Sequence, residues 1–303
     1  MLNWRRLRTV FRAWRERLTE FPETSDLASG LRAALAAVGT LPDKEIDLAG
    51  TALLFARLDA PDADWRSAQR HLSVVAREAA EVARWAGGSA AAQAEALAGV
   101  LACRHDYSGD YENYDDLANA NLIHVIARRR GLPISLGIIW LHCAEVAGWD
   151  CYGLDFPGHF ILGLEGEDGQ TILDVFAGGQ TLDQQDLTEL LTRVQGRRTR
   201  LVASSFQRRR MGKRDVLLRL QRNIAHRRYK AGDAVGTLRC VEDMLLIAPD
   251  GIALWQEAAA LNQQLDQMAA ALRCMGRVVD LAPPGADAAH ARAAIAELRG
   301  RLH

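Results

Sequence analysis

The chain has 303 residues, 49% hydrophobic and 25% charged, enough for two ordinary domains with a sizeable core. Its 37 basic and 38 acidic residues nearly cancel, so no overall field draws it to nucleic acid or anionic lipid. Aromatics at 6% and abundant Ala, Leu and Arg favour helix over sheet, and no apolar run approaches the ~20 residues of a membrane span.

Residues 1–20 carry six Arg against Glu16 and Glu20, with Trp4, Leu7, Phe11, Trp14 and Leu18 at helical spacing. This predicts an amphipathic helix capping the first domain; a membrane-surface or transit-like segment is the alternative. From 24 to 102 the chain predicts helices. The first starts at a Thr24-Ser25-Asp26 cap, and EIDLAGTALLFARL forms the second. The third is WRSAQRHLSVVAREAAEVARWAGG, stopped at Gly87-Gly88, and SAAAQAEALAGVLACRH is the fourth. A polar loop with three tyrosines, DYSGDYENYDD, separates these from a helix at LANANLIHVIARRRG.

Pro133 suits the first turn of a helix, and the ISLGIIWLHCAEVAG that follows is apolar nearly all round, which predicts burial on every side. Three short β-type runs come next: CYGLDF, HFILGLE and TILDVF, the last two joined by Gly166-Glu167-Asp168-Gly169. A buried helix on a small antiparallel sheet, with helices upstream, is an α+β arrangement. Residues 197–214 hold eight Arg/Lys and no acid, without an aromatic ladder; they read as a solvated basic linker with no nucleic-acid role.

An internal repeat follows. LRCVEDMLLIAPDG (238–251) aligns with LRCMGRVVDLAPPG (272–285) at an offset of 34, the tetratricopeptide period. The expected organisation is a helical and core domain over 1–196, the linker over 197–214, and tetratricopeptide-like repeats over 215–303. Cys103, Cys143, Cys151, Cys240 and Cys274 are odd in number and lack CxxC spacing, which argues against disulfides or structural zinc and for a reducing cytoplasm. No HExxH, GxxxxGK or GxGxxG motif occurs, so neither metal nor cofactor is expected.

Chemistry concentrates in the hairpin. Its loop pairs residues whose numbers sum to 333 or 335, and either register puts His159 and Asp174 on one sheet face within hydrogen-bonding reach. A carboxylate that orients an imidazole is half of a nucleophilic triad, though such pairs also serve structure alone. Ser135 stands in the first turn of the buried helix, where free N–H groups stabilise an anion; a plain N-terminal-turn serine is the structural alternative.

The blocks NANLIHVIARRRGLPISLG (119–137), GLDFPGHFILGLE (153–165) and TILDVFAGG (171–179), with the repeat behind them, resemble the bacterial SirB-type branch of the transglutaminase-like superfamily. The resemblance covers roughly residues 40–300 and implies a transglutaminase/cysteine-protease-like core with a tetratricopeptide-like tail. It matches His159 and Asp174 to the superfamily's histidine and aspartate. Ser135 falls near the position of its cysteine nucleophile, where a hydroxyl needs a general base to attack at all. Asn119 matches an asparagine opening an N-x-x-L segment, either lining the cleft or capping a helix. Tyr111, Tyr114 and Asp115 are candidate cleft walls.

Three functions are open on this reading. One is a thiol-less protein- or peptide-binding or regulatory module, with an unidentified protein or peptide partner. A second is a Ser135-His159-Asp174 hydrolase or acyltransferase acting on amide or ester bonds. The third is a tetratricopeptide adaptor whose core domain is purely structural.

Overall fold

A computed structural model describes residues 24–195, 209–283, 285 and 291–297. The amphipathic segment 1–20 and most of the basic stretch, 197–208, lie outside the described residues. Helices α1 (Thr24–Gly39), α2 (Leu48–Asp59), α3 (Trp65–Val82) and α4 (Ala90–Ala98) follow the predicted order. Their starts are capped as the residue types dictate. Asp47, Asp64 and Ser89 accept from Gly50, Ser67 and Ala92 N–H at 3.0, 3.0 and 3.1 Å. The third helix ends at Val82, short of Gly87, because no residue beyond it is buried until Ala90 and Trp85 stands in water.

Two further helices, α5 (Leu122–Arg128) and α6 (Pro133–Ala147), complete the upstream layer. Before them β1 (Ser108–Gly109), and between them β2 (Arg130–Gly131), form a small parallel pair. Proline opens α6, and Gly148 at φ +82° ends it. The main sheet contains β3 (Asp150–Phe156), β4 (His159–Gly166), β5 (Gly169–Asp174), β6 (Gln180–Thr181) and β7 (Arg210–Met211), ordered β6-β5-β4-β3-β7 and antiparallel throughout.

Alternation along the strands divides the sheet's two faces. Phe160, Leu162, Leu164 and Leu173 join the main core with α6 and the helical layer. Leu154, Phe156, Ile161 and Ile172 form a second core under Leu187, Leu190 and Leu191 of α7 (Gln184–Gln195). Thus α6 lies sandwiched between helices and sheet, which is why it needs no polar face.

The tail is α8 (Lys213–Lys230), α9 (Ala234–Ile247), α10 (Ile252–Gln264) and α11 (Met268–Leu281), with residues 291–297 again helical. The 34-residue offset recurs in three dimensions. Both ends of α9 and α11 differ by it, as do the left-handed residues Gly232 (φ +77°) and Asp266 (φ +56°) that precede their caps. Cys240 and Cys274 are both buried; Leu238 is buried where Leu272 is partly so, and Ala248 and Ala282 are both half-buried. α8 belongs to two places at once. Val216, Leu217, Leu220 and Ile224 sit in the main core, and its N-terminus is capped by Asp43, which accepts from Lys213 and Arg214 N–H at 2.9 and 2.8 Å. No helix among the described residues is long and apolar enough to cross a membrane.

Where α9 meets α1, Asp243 is buried and takes only a 3.4 Å contact from Arg32 Nε. Burial raises its pKa from 3.8 to about 6, against the pull of Arg32. The folded state therefore holds this proton more tightly than the unfolded chain, so stability falls as pH rises from about 4 through 6. The effect is up to roughly 3 kcal/mol. Asp243→Asn should flatten this part of the stability–pH curve and leave the protein more stable than wild type at pH 7.5. Parallel curves for the two proteins would rule this out.

Candidate functional site

The register of β4 and β5 pairs Leu162 with Leu173 and Gly166 with Gly169, so partners sum to 335. His159 and Asp174 are then diagonal neighbours on one face, and His159 Nε2 donates to Asp174 Oδ1 at 3.0 Å. Both side chains are nine-tenths buried. The same Oδ1 accepts the Phe176 N–H at 2.9 Å, so the carboxylate is fixed by its own turn. That turn closes through the Gly179 N–H, which donates to the Asp174 carbonyl at 2.9 Å. Among the described residues nothing bonds His159 Nδ1, which leaves its lone pair free to accept when Nε2 carries the proton.

Aromatic rings wall the pair. Phe176, in the turn after β5, lies with its ring centroid 6.1 Å from that of His159, edge to face. Tyr111 and Tyr114 stand edge-on to the same Phe176 ring at 4.6 and 5.7 Å, and both are exposed on their outer sides. Asp115 lies beyond them, 3.4 Å from Arg227 of α8.

Ser135 makes no hydrogen bond to this group. Gly137 of α6 faces Phe160 so closely that a Cβ there would lie 2.2 Å from its ring, and Trp140 meets Gly179 in the same way. These two contacts mark the sheet side of α6. Residues three and four positions from Gly137 share that side, namely Pro133 and Ile134, and neither carries a nucleophile. Ser135, two positions away, lies about 200° around the helix. It is fully buried, and its Oγ has no hydrogen-bond partner. His159 and Asp174 for their part project from the strand face opposite Phe160 and Leu173, the residues that meet the α6 side. Ser135 Oγ and the His159 ring therefore share no hydrogen bond.

Asn119 is spent on structure. Its side-chain amide donates to the Asn113 carbonyl at 2.7 Å and its oxygen accepts from Arg128 at 2.6 Å, with the residue fully buried. The cap of α5 is instead Asn121, which accepts from Ile123 and His124 N–H. The chain has five cysteines. All five are free; burial raises Cys143 far above the thiol range and Cys151 to about 12, which keeps both protonated and inert.

Comparison with known proteins agrees with this architecture. The family model for the transglutaminase-like superfamily matches residues 66–222, and one for the tetratricopeptide repeat matches 221–296. A UPF0162 protein of Xylella fastidiosa (strain Temecula1) is 30% identical over 258 residues, covering 81% of this chain and 88% of its own. The UPF0162 protein of Pseudomonas aeruginosa is 31% identical over 183 residues, 55% of this chain and 66% of the relative. F-box only protein 21 of Homo sapiens is 28% identical over 105 residues, 32% of this chain and 17% of that protein. With half its length matched by one family model and a likeness to the Xylella protein over about four-fifths of the chain, the chain belongs to the transglutaminase-like superfamily, in the SirB-type branch of UPF0162 proteins with tetratricopeptide repeats behind the core.

Proposed function

We propose that this protein is a peptide- or protein-binding, regulatory module built on a transglutaminase-like scaffold without its nucleophile. The observation that carries this reading is that Ser135 Oγ makes no hydrogen bond, while His159 and Asp174 are bonded to each other. A general base needs its nucleophile within hydrogen-bonding reach or one water away, and Ser135 Oγ is fully buried with no hydrogen-bond partner. What is left is a group of polar and aromatic side chains: the His159–Asp174 pair, the Phe176 ring and the outward edges of Tyr111 and Tyr114. Aromatic edges beside a fixed imidazole suit an extended peptide, whose amides can donate to Nδ1 while its side chains pack on the rings. The repeats supply a second surface for the same partner. Five free cysteines suit a reducing compartment, the cytoplasm.

The test pairs turnover with binding. Purified protein offered ester, amide and glutamine-donor substrates should turn over no faster than its His159→Gln variant. Partner capture by the intact chain should survive Ser135→Ala and fall at least about tenfold with Tyr111→Ala and Tyr114→Ala combined, the scale of one lost aromatic anchor. Hydrolysis or transamidation that disappears with Ser135→Ala would replace this reading with the serine-enzyme one.

A further inference from the structure

The turn that delivers His159 to the sheet contains a conflict. Phe156 and His159 are paired across β3 and β4, so Pro157 and Gly158 alone connect the strands. Two-residue hairpins favour turns with positive φ at the first central residue, because only those match the right-handed twist of the strands. Proline fixes φ near −65°, and Gly158 sits at φ +70°. This is the type II shape, which splays the strands it joins. The pairing nonetheless continues to the last residue before the turn.

The restraint comes from outside the sheet. Arg219 of α8 donates through Nη2 to the Phe156 carbonyl at 2.9 Å and also to the His159 carbonyl, while Nη1 donates to Asp155 Oδ1 at 3.1 Å. One nitrogen, Nη2, thus spans both carbonyls that flank the turn, while Nη1 of the same planar group holds Asp155, a pair of anchors that a single ammonium nitrogen does not supply. The guanidinium also lies 5.6 Å from the Phe160 ring, and the side chain is four-fifths buried.

We propose that Arg219 is a positioning residue for His159: by clamping the Phe156 and His159 carbonyls it fixes the strand end from which the imidazole reaches Asp174. Its importance for function rests on the reading of that pair given above, but its effect on the ring does not. The site is thereby tied to the tail, because α8 is the helix in which the core match gives way to the repeat match.

Nuclear magnetic resonance of the ¹⁵N-labelled full chain reads this directly. His159→Gln identifies the His159 ring signals by their loss. Wild type should show the Nε2–H tautomer with a slowly exchanging ring proton. Arg219→Gln should speed that exchange about tenfold, the loss of one restraint of hydrogen-bond strength, and mix the tautomers. Arg219→Lys should fall between the two. Arg222→Gln, which removes the neighbouring Arg222–Glu257 pair of the same helix, should match wild type. Acceleration of twofold or less in folded Arg219→Gln overturns the proposal, as does an equal acceleration in Arg222→Gln. If Arg219→Gln does not fold, Asp155→Asn takes its place under the same twofold criterion, since it removes the anchor of Nη1. The ring signals need no partner, so they test the clamp whether or not the cleft binds a peptide.

Discussion

Asp174→Ala should destabilise the protein by about 3–5 kcal/mol in denaturant unfolding, the scale of removing one member of a buried pair. A single oxygen, Oδ1, accepts from both His159 Nε2 and the Phe176 N–H, and both donors lie out of reach of bulk water. Each donor left stranded costs about 1–3 kcal/mol. Asp174→Asn keeps an acceptor oxygen in place and should cost about 1–2 kcal/mol, because the bonds lose charge but not partners. The ordering of the two variants is the critical result. Equal losses would mean that the carboxylate acts through its charge alone.

Gly179→Ala should be nearly as damaging, at about 2–5 kcal/mol, and for two separable reasons. Its φ of +86° is a conformation that a Cβ resists, and that Cβ would lie 2.2 Å from the buried Trp140 ring. Gly178→Ala isolates the first reason. It also has positive φ, +70°, but its Cβ would only touch Ala102 at 3.6 Å, an ordinary contact. That variant should lose about 1–2 kcal/mol, and thermal unfolding of the two side by side gives the steric part by difference. Because the Gly179 N–H bonds the Asp174 carbonyl, Gly179→Ala should also disturb the His159 ring signals. A loss no greater than that of Gly178→Ala would show that Trp140 yields without cost.

Much of this was legible in the sequence. A fixed offset of 34 is a statement about similar local environments, and it reappears in the ends of α9 and α11, in the left-handed residues before them and in their burial. The His159–Asp174 contact was legible because a strand has only two faces and a short loop only a few registers. The orientation of Ser135 was not. Helix phase is read from the contrast between apolar and polar faces, and α6, covered on both sides, has no such contrast to read. Nor does any local pattern announce Arg219, whose partners are some 60 residues away in sequence. The cap falls to Asn121 and not Asn119 for a simpler reason: either asparagine is a plausible cap, and only the helix start at Leu122 decides between them.

The docking of α8 has a consequence for how the chain is made. Its capping residue Asp43 precedes it by 170 residues, and its apolar side covers surface on α2 and α6. At roughly 5–20 residues per second, synthesis takes about 10–30 s to bridge that interval. During it the helical layer can assemble, but the seat of α8 stays open to water. Contacts this distant in sequence also close slowly once both ends exist. The nascent protein therefore presents a long-lived apolar groove to the ribosome's surroundings, a natural target for holding chaperones until the first tail helix leaves the exit tunnel.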